Sequence, residues 1–100
     1  MGIGDWGLGL DLGTNKILNI KVLDEVKIEK LEILDLGGNK ISDINILEKV
    51  KLKELKELYL YENNISNIKV LENATFEKLE ILNLGNNKIS DINILESFNF

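Results

Sequence analysis

Apolar positions along the chain recur with a period of 24 residues. Leu10, Leu34, Leu58 and Leu82 keep this step, and so do Leu12, Leu36, Leu60 and Leu84. Asn15, Asn39, Asn63 and Asn87 follow it, then Ile17, Ile41, Ile65 and Ile89. Ile20, Ile44, Ile68 and Ile92 continue the series, and Leu23, Leu47, Leu71 and Leu95 close it. A period of this length, held over four units, decides the whole fold. Within a unit the rhythm changes. Leu34 and Leu36 alternate, as on a strand with one buried face. Ile44, Leu47 and Val50 recur at every third position, which predicts one or two inward-facing helical turns over 42–50, with Ser42 or Asp43 as a cap. The pattern predicts an α/β solenoid of four coils, at about 7–30, 31–54, 55–78 and 79–100, making one domain over 1–100. Short parallel strands form its concave face and short helical turns its convex face.

The repeat reads L-x-x-L-x-L-x-x-N-x-I-x-x-I-x-x-L, carried in the second coil by Leu31, Leu34, Leu36, Asn39, Ile41, Ile44 and Leu47. It resembles the leucine-rich repeat over Leu8 to Phe100. The I-x-x-I spacing is similar to the subfamily of phosphatase-regulatory leucine-rich proteins and bacterial internalins. That subfamily usually runs about 22 residues per coil, and the two extra residues here fall around Lys51 to Lys53. The resemblance implies a concave surface that binds proteins or peptides. A second period is superimposed. Coils two and four share Asn-Lys-Ile-Ser-Asp-Ile-Asn-Ile-Leu-Glu, whereas coils one and three share Asn-Ile-Lys-Val-Leu, an alternation over 48 residues.

The asparagine row falls where each strand turns away. An amide offers both donors and an acceptor, so it can satisfy turn backbone groups from within the coil. The four asparagines are expected to form a buried structural ladder. Each coil places about seven apolar side chains in the core, worth roughly 1.5–3 kcal/mol apiece. Most of that gain lies between coils, so a single coil does not fold alone.

Charge narrows the function. The net charge is -5, and the 12 cations are all lysine. Without arginine there is no bidentate fork for phosphate or guanine, and the acidic balance repels nucleic-acid and anionic membrane surfaces. Nucleic acid and membrane are therefore excluded as partners. The sequence holds no histidine and no cysteine, which removes the commonest general base, the commonest metal ligand and any disulfide frame. Residues Met1 to Leu12 carry neither a basic segment nor a long apolar run, and the chain is read as cytoplasmic. The excess of Lys, Asn, Ile and Glu fits either an AT-rich coding source or an idealised, designed repeat.

Three stretches imitate chemistry. Gly9 to Asn15 resembles the phosphate-binding loop of actin-like ATPases and sugar kinases, but the register already accounts for Leu10, Leu12 and Asn15. Asp11 and Asp35 lie side by side on the concave face, and with no histidine nearby they are read as a solvated carboxylate pair. Asn64-Ile65-Ser66 and Asn73-Ala74-Thr75 are formal glycosylation sequons, relevant only to a secreted chain. No catalytic residue, metal site or cofactor is assigned, and the chain is read as no enzyme.

Alternation leaves two candidate surfaces. The concave face exposes Ile33 and Asp35, Glu57, Tyr59 and Tyr61, and Ile81 and Asn83. Tyr59 and Tyr61 stand where other coils carry Asp or Asn and Gly, so Tyr61 lies between Gly37 and Gly85 with its ring uncovered. Such an aromatic is hot-spot material for a protein partner. The second surface is the pair of ends. Ile3 and Trp6 are expected to lie over the first coil. Phe98 and Phe100 finish the fourth, where no following strand covers Leu82, Leu84 and Ile89. Open ends suggest a self-assembling unit as the alternative function.

Overall fold

The computed structural model describes residues 9–11, 13, 20, 29–74 and 76–90. Four short strands form one parallel sheet: β1 (Gly9–Asp11), β2 (Ile33–Asp35), β3 (Glu57–Tyr59) and β4 (Ile81–Asn83), in sequence order across the sheet. Leu10, Leu34, Leu58 and Leu82 are direct lateral partners, so residues 24 apart in sequence are neighbours in space. The ladder continues past the strands. Leu36 N–H donates to the Tyr59 carbonyl and Leu60 N–H to the Asn83 carbonyl, each at 2.8 Å.

Alternation sorts the side chains as expected. Leu34, Leu36, Leu58 and Leu60 are fully buried, together with Ile41, Ile65, Ile44, Leu47 and Leu71. These leucines and isoleucines form one continuous core with Leu31, Leu52 and Leu55. Two 3₁₀ turns follow β2 and β3 in sequence, Asn45–Glu48 and Lys69–Glu72. A 3₁₀ helix has three residues per turn, which is the physical meaning of the three-residue spacing of Ile44, Leu47 and Val50. One α-type bond, Val50 N–H to the Ile46 carbonyl at 3.3 Å, ends the first turn. The cap is not Ser42 or Asp43: Ile44 and Ile68 hold the N-cap positions and make no side-chain cap bond. Asp43 instead forms a short turn just ahead, its Oδ1 accepting the Asn45 N–H at 2.9 Å, and Asn67 does the same for Lys69 at 3.0 Å. Among the described residues no helix is long and apolar enough to cross a membrane.

The asparagine ladder is observed at three of its four positions; Asn15 lies outside the described residues. Asn63 Nδ2 donates to the carbonyls of Leu60 and Leu36, both at 3.0 Å, and of Tyr61 at 3.1 Å. Its Oδ1 accepts the Ile41 N–H at 3.0 Å. One amide thus ties its own turn to the preceding coil. Asn87 repeats the pattern, donating to Leu84 and Leu60 and accepting from Ile65. Asn39 and Asn63 are buried, whereas Asn87, below the outermost strand, is half-buried.

Each turn then passes through a left-handed residue: Gly38 (φ 70°), Glu62 (φ 51°) and Asn86 (φ 54°), again in register. Glycine adopts this conformation freely, asparagine at small cost, and glutamate at the greatest cost of the three.

Candidate functional site

The outward side of the sheet is built in rows that cross the strands. One row is Gly9, Ile33, Glu57 and Ile81; the next is Asp11, Asp35, Tyr59 and Asn83. Ile33 and Ile81 are the exposed large hydrophobics among the described residues, at 38% and 43%. Six of the seven residues read as the concave candidate site therefore share one face, and the seventh, Tyr61, belongs to the row beyond. A third row follows two residues on, with Gly13, Gly37, Tyr61 and Gly85.

Three strands end in the same small device. Asp11 Oδ1 accepts the Gly13 N–H, and Asp35 Oδ1 the Gly37 N–H, both at 2.9 Å. Asn83 Oδ1 accepts the Gly85 N–H at 3.0 Å. A short side-chain acceptor two residues upstream holds the backbone in a turn, as Asx residues do generally. This revises the reading of Asp11 and Asp35 as merely solvated: each spends a carboxylate oxygen on its own turn. It also explains the phosphate-loop imitation, since Asp-Leu-Gly recurs at 35–37 and Asn-Leu-Gly at 83–85. The signal was present in the sequence as a three-residue motif in three coils.

The third coil departs from that device. Tyr59 and Tyr61 replace the acceptor and the glycine. The Tyr59 hydroxyl turns back along its strand and donates to Glu57 Oε1 at 2.5 Å. The Tyr61 ring leans toward the second coil and lies flat over Gly37, where an added Cβ would collide with the phenol end. Tyr61 is thus seated on a neighbouring glycine rather than left uncovered, and it is half-buried. The two rings meet edge to face, with centroids 6.4 Å apart and planes at 78°.

Electrostatics mark the same spot. The hydrogen bond to Glu57 holds the Tyr59 hydroxyl above its ordinary pKa, with burial and the charges of Glu57 and Asp35 adding to the effect. For Tyr61 the charge of Asp35 is the main cause of an upward shift, followed by burial and by Asp11 and Glu62. The lysines of the described residues lie elsewhere. Lys56 pairs with Glu32 at 3.4 Å and Lys78 with Glu54 at 2.8 Å, both ahead of the strands on the rim. Lys78 lowers the Glu54 pKa by hydrogen bond and charge, and Glu54 raises that of Lys78.

Residues 29–73 and 53–97 match the family described as Leucine Rich repeats (2 copies). The chain belongs to the leucine-rich-repeat family. Two solved structures from Listeria monocytogenes str. 4b F2365 are similar to it. Internalin C2 matches with a TM-score of 0.71 and 30% identity, over 88% of this chain and 36% of its own. An internalin, inlF, matches with a TM-score of 0.61 and 30% identity, over 89% of this chain and 32% of its own. This leucine-rich-repeat chain thus spans about a third of the length of those internalins. No curated protein matches it.

The end residues divide. Leu82, Leu84 and Ile89 pack against the leucine-rich core but are half-buried, whereas their counterparts Leu58, Leu60 and Ile65 are fully enclosed. Trp6, Phe98 and Phe100 lie outside the described residues, as do Ile3, Ile92 and Leu95.

Proposed function

We propose that this chain is a non-catalytic protein-interaction scaffold whose four coils, at about 7–30, 31–54, 55–78 and 79–100, form one domain. Its partner, a protein or peptide, docks on the concave face. Tyr59 and Tyr61 are the anchors, framed by Glu57, Ile33, Asp35, Ile81 and Asn83. The observation that carries this reading is the seat of Tyr61 on Gly37. A large ring held in one position loses little entropy on binding, which favours an aromatic as a hot spot. Leucine-rich-repeat membership and the internalin neighbours support the same class of function.

Selection of peptide binders from a random display library against the whole chain tests this reading. Binders are expected to be lost on a Tyr59→Ala, Tyr61→Ala variant with unchanged circular dichroism. Equal recovery on that variant would move the site off the concave face.

A second reading, self-association through the ends, draws on the half-buried Leu82, Leu84 and Ile89. In it these residues and Trp6, Phe98 and Phe100 form the seam. Contact between unlike ends of a solenoid need not close into a ring. Light scattering over a concentration series separates the two readings, and a sharp monomer at high concentration removes the second.

A further inference from the structure

We propose that the concave face selects an extended segment carrying a cationic side chain, arginine or lysine, which sits on the Tyr61 ring against Asp11 and Asp35. This rests on the scaffold reading and specifies the chemistry of its partner.

The twelve outward positions of the three rows hold Asp11, Asp35 and Glu57 and no lysine. Among the described residues both ion pairs lie outside these rows, on Glu32 and Glu54. Asp11 and Asp35 are lateral partners in the sheet, fixed side by side by their own turns. Two carboxylates side by side offer one cation adjacent acceptors.

Tyr61 supplies the second element. Its phenol end rests over Gly37, whose N–H is held by Asp35, so the ring borders the Asp35 carboxylate, with Asp11 the next in the row. An aromatic face beside carboxylates suits a guanidinium or ammonium group, which stacks on the ring while its N–H groups meet the oxygens. A bare metal ion is served less well. Calcium takes six to eight oxygen ligands, and no group of three potential metal ligands occurs among the described residues.

The third element is apolar and at a matching distance. Ile33 is two residues before Asp35 on β2, about 6.6 Å along the strand, and is exposed. Side chains on one side of an extended peptide repeat at the same distance, so a cationic residue level with Asp35 puts an apolar residue two places away over Ile33, and its long side chain carries the charge from Asp35 to the ring over Gly37. A protein segment offers both groups at this spacing.

The test uses the capped pentapeptide Thr-Arg-Thr-Leu-Thr and its counterpart with neutral citrulline in place of Arg, titrated into the ¹⁵N-labelled full chain. The arginine peptide should shift the amides of Gly13 and Gly37 and the Tyr61 ring, and bind about tenfold tighter than the citrulline peptide. An Asp11→Asn, Asp35→Asn variant should erase that difference. It keeps the turns, because Asn83 already makes the same bond to Gly85. Gly37→Ala keeps both charges but displaces the ring, and should weaken the arginine peptide several-fold. Equal binding of the two peptides on this face would overturn the inference while leaving the scaffold reading intact. Shifts confined to Glu32 and Glu54 on the rim, or no shifts at all, would overturn it too, and the display selection would then judge the scaffold reading separately.

Discussion

The second and third coils share a backbone and differ in what they place on it. The second closes its strand with Asp35, Gly37 and Gly38: an acceptor, a residue without a side chain, and a glycine at φ 70°. Each choice is locally consistent with a tight turn. The third makes the same turn with Tyr59, Tyr61 and Glu62, none of which favours it. No side chain two residues upstream accepts the turn N–H, and glutamate occupies the left-handed position. What holds the third turn is Asn63 below it and the neighbouring coils on either side. Local rules are broken in the coil that carries the two tyrosines, and the stacked repeat supplies the stability that the turn lacks.

The comparison breaks most readily at the asparagine. Asn63→Ala strands the Ile41 N–H and removes the donor to three carbonyls. The expected loss is roughly 1–3 kcal/mol, read by urea denaturation. Asn87→Ala makes the same cut where water has access, and should fall at the lower end of that range. Equal losses would mean that the ladder does not depend on burial.

The glycines give the next largest effect. Gly37→Ala pushes the Tyr61 ring from its seat, whereas an added Cβ at Gly85 meets Asn83 Oδ1 at 3.2 Å and no ring. We expect Gly37→Ala to cost about 1 kcal/mol more than Gly85→Ala and to shift the Tyr61 ring resonances. An unmoved ring in Gly37→Ala would show that the seat is not where the structure puts it.

A gain is expected at Glu62. Glu62→Gly relieves the left-handed conformation and should stabilise the chain by roughly 0.5–1 kcal/mol in thermal denaturation. Gly38→Ala, in the second coil, should move the melting midpoint the other way. If both lower stability, positive φ is not what separates the two turns.

The smallest effect is electrostatic. Both tyrosine hydroxyls are held above the ordinary tyrosine pKa of about 10. The folded state therefore keeps these protons at pH values where the unfolded chain has lost them. That contribution is complete below pH 10 and is lost as pH rises through the folded-state pKa values. Tyrosinate absorbance should titrate later than in free tyrosine. Glu57→Gln should bring Tyr59 back toward its ordinary value and leave Tyr61 nearly unchanged, because Asp35 rather than Glu57 acts on Tyr61. A common shift of both would make the field of the whole face, rather than the Tyr59–Glu57 bond, the cause.

Repeat register, the inward leucines, the asparagine ladder and the outward rows were determined by the sequence alone. A 24-residue translation makes each residue the neighbour of its own counterpart, so periodicity in sequence is contact in space. The three-residue spacing of Ile44, Leu47 and Val50 likewise carried the helical turns, although only the backbone bonds showed them to be 3₁₀. Three things were decided by the tertiary structure. Asp35 bends to its own Gly37 N–H, Tyr59 bends back to Glu57, and Tyr61 lies down on Gly37. A residue's identity says which face it occupies, but a side chain's direction depends on the room and the partners in the adjoining coil. That room was a glycine 24 residues away, and only stacking the coils brought it under the ring.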